Sequence, residues 1–326
     1  MDKISLRGLK EFVEIELKSK NIKEAEEKAY LFLMDFFKIS SKGEYLLNKD
    51  KDISNEFKLH SNNFFEALEK LKSNIPLEYI TNNRYIYNAN IYVNENVLIP
   101  RYDTEIIIDE ALKNIYKDIE TKKEEINILD LCTGSGVIGI NIYKCIIEHL
   151  KEKNMEMNIN NINIYLVDIS KAVLEVTKIN VKDNIEDKYI DNVHIIESNL
   201  FNNLSNIKFD YILSNPPYIK SSDIKSLDKD VLKEPLIALD GGEDGIKFYK
   251  EILNDAHKYL KNNGVIFFEI GYNQADDINT YIDEVNKNNL ILSFNDTEVD
   301  IYRYIVSKVV KDIEGRDRVL KINIKR

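Results

Sequence analysis

Ile128-Leu129-Asp130-Leu131-Cys132-Thr133-Gly134-Ser135-Gly136-Val137-Ile138-Gly139 reads as a buried strand that runs into a tight turn and then into a helix. This is the geometry of a nucleotide site. Gly134 and Gly136 let the backbone approach a ligand where a Cβ would collide, and the helix that follows offers free N–H groups at its N-terminus. With Gly139 the glycines satisfy G-x-G-x-x-G literally, so the loop alone leaves a dinucleotide site open. Two carboxylates weigh against one. Asp130, just before the loop, is placed to accept a hydrogen bond from the cationic amino group of S-adenosylmethionine and would repel a pyrophosphate. Asp168, ending the next strand in Leu166-Val167-Asp168-Ile169-Ser170, can accept from both ribose hydroxyls, or serve as a turn or N-cap residue of the helix after it.

Outward from this loop, everything beyond Asp103 alternates strand with helix. Strands are expected at Ile126–Leu131, Ile164–Asp168, Val193–Glu197, Tyr211–Leu213, Val265–Glu269 and Leu290–Phe294, with helices to about Leu150 and about Lys182. Short β-rich runs separated by helices imply a parallel sheet covered by helices on both faces. Ile301–Val306 and Arg318–Ile324 predict a last strand pair at the sheet edge. The Asn-rich stretch 151–163 and the polar stretch 182–192 are expected as surface loops, and 117–125 as a solvated connector. On the other side of the loop, apolar residues recur at helical spacing from Ser5 to Ser73, as in Leu9, Phe12, Val13, Leu17 and Ala29, Phe32, Leu33, Phe36. Pro76 closes this small bundle. Tyr85-Ile86-Tyr87 and Ile91-Tyr92-Val93 then predict a β-hairpin with the boundary near Asn90. The expected domains are residues 1–75, a hairpin linker at 76–97, and an α/β Rossmann-like domain at 98–326.

Composition narrows the function. With 326 residues, 44% hydrophobic and 31% charged, the chain can bury a real core; its richness in Asn, Lys and Ile is read as base-composition drift. The net charge of −11 and the lack of a basic block disfavour nucleic acid as a direct partner. Cys132 and Cys145 are ordinary reduced thiols by their spacing, and the four histidines are scattered, so no metal site is expected. No apolar stretch is long enough to cross a membrane, and Met1 to Lys20 has no signal-peptide pattern, which makes the cytoplasm the expected location.

The most informative segment is Phe209-Asp210-Tyr211-Ile212-Leu213-Ser214-Asn215-Pro216-Pro217-Tyr218-Ile219, an Asn-Pro-Pro-Tyr turn directly after an apolar strand. Two prolines stiffen any loop, and a rigid turn with a buried Tyr would explain the pattern without chemistry. The chemical reading is more specific. An amide or ring-amino nitrogen is a poor nucleophile, so its methylation needs acceptors that orient both N–H groups. The Asn215 side-chain oxygen and the Pro216 carbonyl supply two, while Pro216 and Pro217 add no competing donor. Tyr218 would lie against the flat substrate group and favour a cationic methyl donor.

With these motifs the chain resembles the release factor glutamine methyltransferases (PrmC/HemK family). The resemblance extends to Leu98-Ile99-Pro100-Arg101-Tyr102-Asp103-Thr104-Glu105, to 234–245, to Glu269-Ile270-Gly271-Tyr272-Asn273-Gln274 and to Gly315-Arg316-Asp317-Arg318-Val319. It implies a class I S-adenosylmethionine-dependent methyltransferase domain behind a helical domain that helps hold the substrate, a class 1 peptide chain release factor methylated on a glutamine amide nitrogen. It further implies that Cys132, Thr133, Gly134, Ser135, Gly136, Asp168, Asn199 and Leu200 line the cofactor site. Asn215 would touch both ligands, and Asn215 to Tyr218 would grip the amide. Cys132 stands where the family usually has Gly, Tyr102 where it has Pro, and Asn199 where it has Asp. The alternatives are a DNA or RNA base amino-methyltransferase, a ribosomal-protein glutamine methyltransferase, a noncatalytic cofactor-binding scaffold and a nicotinamide oxidoreductase.

Overall fold

The computed structural model describes residues 3–121, 125–204, 206–295 and 301–326. The chain forms two compact units, Met1–Asn83 with Asp228–Lys233, and Arg84–Leu227 with Glu234–Arg326.

The first unit contains α1 (Leu6–Ser19), α2 (Ala25–Phe36), α3 (Lys42–Asn48), α4 (Ser54–Lys72) and α5 (Leu77–Thr81). Ser5 and Ser41 cap α1 and α3, their hydroxyls accepting from Gly8 N–H at 3.2 Å and Glu44 N–H at 3.1 Å. The apolar stripes predicted from spacing meet in one core of Leu9, Val13, Leu17, Phe32, Leu33, Phe57, Phe64 and Leu68. Phe64 stands at its centre, its ring 5.2–5.3 Å from those of Phe32, Phe36 and Phe57. Pro76 does not end the helices as expected. It precedes α5, where a residue with no N–H and a fixed φ starts a helix without loss.

The second unit opens with β1 (Arg84–Ile86) and β2 (Ala89–Ile91), then continues through α6 (Thr104–Thr121), β3 (Ile126–Leu131), α7 (Val137–Glu152), β4 (Ile162–Asp168), α8 (Lys171–Asn184), β5 (Val193–Glu197), β6 (Phe209–Ser214), α9 (Lys247–Tyr259), β7 (Leu260–Glu269), α10 (Ala275–Asn295), β8 (Arg303–Lys311) and β9 (Asp317–Lys325). Seven strands form one sheet in the order β5-β4-β3-β6-β7-β9-β8. The first five are parallel and the last two antiparallel, so the predicted terminal pair does lie at the edge. Alternation along the strands sends Leu129, Leu131, Ile212, Ile266 and Phe268 into a core with Tyr249, Ile252 and Leu253 of α9 and Ile278 and Ile282 of α10. Asp130, Tyr211 and Phe267 point to the opposite face, where Tyr211 reaches Asp118 of α6 at 2.6 Å.

Three further expectations are corrected. Residues 290–294 are the end of α10, not a strand; a short apolar run cannot by itself separate the two. Asn286 and Asn289 of this helix hold the backbone of Tyr304 and Tyr302 at 2.8–3.0 Å and so fix the start of β8. The hairpin pairs Arg84 with Ile91 and Ile86 with Ala89, leaving a two-residue turn at Tyr87-Asn88 in place of a three-residue one. Tertiary hydrogen bonds select this register, from Tyr87 N–H to Glu105 at 3.0 Å and from Asn88 N–H to Asn141 at 3.2 Å. The two polar stretches each contain a 3-10 turn, Glu156–Asn161 and Asp187–Asn192, that buries Ile159 and Tyr189. Among the described residues no helix is long and apolar enough to cross a membrane.

Candidate active site

The carboxyl ends of four neighbouring strands gather the predicted residues around one cavity of about 440 Å³. Cys132, Thr133, Gly134 and Ser135 follow β3, Asp168 ends β4, Asn199 and Leu200 follow β5, and Asn215 and Pro217 follow β6; all of them line it. This is the edge at which open α/β sheets bind ligands, and the volume suits one ligand of nucleoside size. Asp130, Gly136, Pro216 and Tyr218 stand outside the lining.

Thr133 N–H donates to the Val167 carbonyl and Gly136 N–H to the Thr133 carbonyl, both at 2.9 Å, which closes the turn after β3. Gly134 has φ +56° and a Cβ there would project into open space. The missing side chain leaves the backbone bare toward the cavity. At Gly136, φ +84°, a Cβ would come within 2.8 Å of Ile140 and 3.1 Å of Thr177, so this glycine serves helix packing. The two glycines, read alike from sequence, answer different constraints.

Asp168 accepts from the Gly134 and Ser170 N–H groups, each at 3.1 Å. It thereby ties the glycine turn to the end of β4 while still facing the cavity. The N-cap of α8 is Ser170. Burial holds the Asp168 carboxyl above its ordinary value. Asp130 is fully buried, and its Oδ2 accepts from Thr133 Oγ1 at 2.6 Å and from Gly139 N–H at 3.0 Å. Burial pushes this carboxyl up to about 7. It lies beneath the turn and braces it through Oδ2, outside the cavity lining, while its Oδ1 is buried without a hydrogen-bond partner among the described residues.

The Asn-Pro-Pro-Tyr turn is held from behind. Ile219 N–H donates to Leu239 O at 3.0 Å and Gly241 N–H to Ile219 O at 2.8 Å. A Cβ on Gly241 would lie 2.7 Å from Tyr218 Cα and 2.8 Å from Pro217 O, so only glycine allows this backbone-to-backbone approach. Gln274 completes the brace, donating through Nε2 to the carbonyls of Tyr218 at 2.9 Å and Gly245 at 3.0 Å. The segments 234–245 and 269–274, which carry part of the family resemblance, thus hold this turn in place. Pro216 is buried, and Tyr218 is half-buried with its phenol kept protonated by burial and by Glu269.

Glu269, at the end of β7, is 2% exposed. Burial pushes its carboxyl up to about 7, with Thr104, Asn215, Asp103 and Arg318 nearby, and its Oε2 has no hydrogen-bond partner among the described residues. Arg318 pairs with Asp103 at 3.2 Å and with Asp312 at 3.0 Å, joining the β8–β9 turn to the segment that opens α6. Among the described residues no group of three or more His, Cys, Asp or Glu is arranged to hold a metal ion.

A family model described as a methyltransferase domain matches residues 122–312. The release factor glutamine methyltransferase of Thermodesulfovibrio yellowstonii is 37% identical over 255 residues, 78% of each chain. That of Clostridium acetobutylicum is 34% identical over 73% of this chain and 80% of its own, and that of Clostridium botulinum 32% identical over 85% and 84%. The chain belongs to the release factor glutamine methyltransferase family. Its fold is accordingly the class I methyltransferase fold, with an N-terminal helical region, and the nicotinamide reading of the glycines is set aside. Against the family pattern, Cys132 takes φ +60°, the left-handed conformation for which glycine is the natural choice. Tyr102 takes the place of a proline and carries the Arg84 guanidinium over its ring at 4.3 Å. Asn199 lines the cavity.

Proposed function

We propose that this enzyme transfers the methyl group of S-adenosylmethionine to the side-chain amide nitrogen, N5, of a glutamine in a class 1 peptide chain release factor. The observation that carries this reading is that Asn215 of the Asn-Pro-Pro-Tyr turn lines the same cavity as the glycine turn and Asp168. The cofactor suits the residues present. Gly134 leaves its backbone bare, Asp168 offers a carboxylate that would hold the ribose, and Asn199 and Leu200 of the lining would hold the adenine. Bound there, S-adenosylmethionine supplies an electrophilic methyl group on a sulfonium.

The chain's own work is alignment. Asn215 Oδ1 and the Pro216 carbonyl each accept one N–H of the substrate amide, which fixes the nitrogen and turns its lone pair toward the methyl group; as the nitrogen–carbon bond forms, the carbon–sulfur bond breaks to leave a neutral thioether, and the nitrogen gives up one of its two protons to solvent. Orientation of this kind supplies roughly 7 kcal/mol or more of a barrier in well-ordered cases. Pro216 and Pro217 offer no competing N–H. Tyr218 packs behind the turn against the core, and its protonated phenol adds no negative charge there. The helical unit, residues 1–75 in the sequence division, serves to hold the protein substrate.

The test is transfer of labelled methyl groups from S-adenosylmethionine to a purified class 1 release factor, with ribosomal protein and duplex DNA as parallel acceptors and the site mapped by mass spectrometry. Label on a release-factor glutamine is expected. Label confined to DNA or ribosomal protein would replace the substrate, and binding of the cofactor without any transfer would make the chain a scaffold.

A further inference from the structure

We propose that the start of α9 is the adenine wall of the cofactor site, with Phe248 stacking on the base and Glu251 accepting a hydrogen bond from its 6-amino group. This assignment rests on the reading of the cavity given above, in which Asn199 and Leu200 hold the adenine. Phe248 and Glu251 both line the cavity and stand three residues apart on α9, so they are neighbours on one helix face. That helix adjoins the loop after β5. Leu200 packs against the core cluster to which α9 contributes Tyr249, Ile252 and Leu253, and the Phe201 ring stacks on that of Tyr259, the last residue of α9, at 4.6 Å. A base held by Leu200 therefore has α9 beside it.

Among the described residues Phe248 is the one aromatic side chain that lines the cavity, and its ring is half-buried. Adenine is the flat aromatic part of the cofactor, and a base gains by stacking its face on such a ring. Its amino group is a donor and needs an acceptor. Asn199 stands where the family usually has Asp, so the loop after β5 brings an amide to the cavity in place of a carboxylate. An amide can donate to a ring nitrogen, which a carboxylate cannot, and Glu251 then supplies the charged acceptor from α9. No lysine of the same turn claims it. Lys250 pairs with Asp244 at 2.5 Å, the Lys247 ammonium lies over the Phe248 ring at 5.2 Å, and among the described residues the Glu251 carboxylate makes no hydrogen bond or ion pair.

The test is calorimetric titration of the full-length protein with S-adenosylhomocysteine, which carries the same base and transfers nothing, and with its analogue that has hydrogen in place of the 6-amino group. Phe248→Leu keeps an apolar side chain and removes the ring; it should weaken both compounds by about tenfold, while Phe248→Tyr should bind them as the wild type does. Glu251→Met removes the acceptor and should weaken S-adenosylhomocysteine by about tenfold while leaving the analogue unaffected, because the analogue already lacks the donor. Undiminished binding of S-adenosylhomocysteine by Phe248→Leu or Glu251→Met, or an equal loss of both compounds in Glu251→Met, would overturn the assignment and leave the cofactor reading standing. A wild type that binds neither compound would overturn the cofactor reading itself, and this assignment with it. NMR of phenylalanine-labelled wild type gives a readout that needs no loss-of-ring variant to fold: the Phe248 ring signals, assigned by their absence from Phe248→Tyr, should move by ring-current shifts as S-adenosylhomocysteine binds. Unmoved signals at saturation would overturn the stacking.

Discussion

At the scale of single residues, two side chains occupy positions that oppose their chemistry. Cys132 is held at φ +60°, which costs a side-chain-bearing residue about 1–2 kcal/mol. Cys132→Gly relieves this and loses part of the gain to the freer unfolded chain, so urea denaturation should show a change within about 1 kcal/mol. Cys132→Val, β-branched in a left-handed position, should cost more than about 2 kcal/mol. Glu269 is the second case. Burial raises its carboxyl from 4.5 to about 7 in the folded protein. The folded state therefore holds the proton more tightly than the unfolded state. The stability this provides is complete below pH 4.5, declines as pH rises toward 7, and is gone above it. Glu269→Gln should raise the melting temperature at pH 8, by up to about 3 kcal/mol in stability, and leave it unchanged at pH 4. An equal effect at both pH values would mean that the carboxyl does not titrate in this window.

At the scale of elements, the site depends on contacts that no local pattern announces. Asn180 of α8 accepts from Tyr92 N–H at 2.6 Å and donates to the carbonyls of Tyr92 and Ser135 at 2.9 Å each, linking the residue after β2 to the glycine turn. Asn184 and Asn141 hold Asn90 and Asn88 in the same way. The asparagine bias read as compositional drift thus supplies, in part, the polar staples of the hairpin. Asn180→Ala should destabilise by about 3 kcal/mol in chemical denaturation, because it leaves buried backbone groups unpaired. Gly241→Ala should instead act on rate. Its Cβ would meet only backbone at 2.7–2.8 Å, so the Asn-Pro-Pro-Tyr turn must shift, with a loss in kcat of about tenfold or more. Unchanged kcat would show that the turn tolerates displacement. The strand–turn–helix and Asn-Pro-Pro-Tyr segments were legible because their glycines and prolines encode local backbone demands. The roles of Gln274 and Arg318 were not, since each depends on partners that only the sheet order brings together.

At the scale of the whole molecule, the alternation of strand and helix made the parallel sheet readable, and membership of the release factor glutamine methyltransferase family agrees with it. What periodicity could not resolve was the end of α10, where a short apolar run has no period of its own, and the register of the hairpin, which distant side chains select. In the second unit Asp168, the glycine turn and Asn215 line one cavity. Asp168→Ala should weaken binding of S-adenosylmethionine in calorimetric titration, since it removes both the carboxylate proposed above to hold the ribose and the tie to Gly134. The most direct measurement is the rate of methyl transfer to a release factor by Asn215→Ala beside the wild type, with cofactor affinity measured on the same protein. A loss of about 10²-fold or more in kcat with a folded variant that still binds S-adenosylmethionine is the predicted result; transfer at the wild-type rate would contradict the assignment of Asn215 as the group that orients the amide.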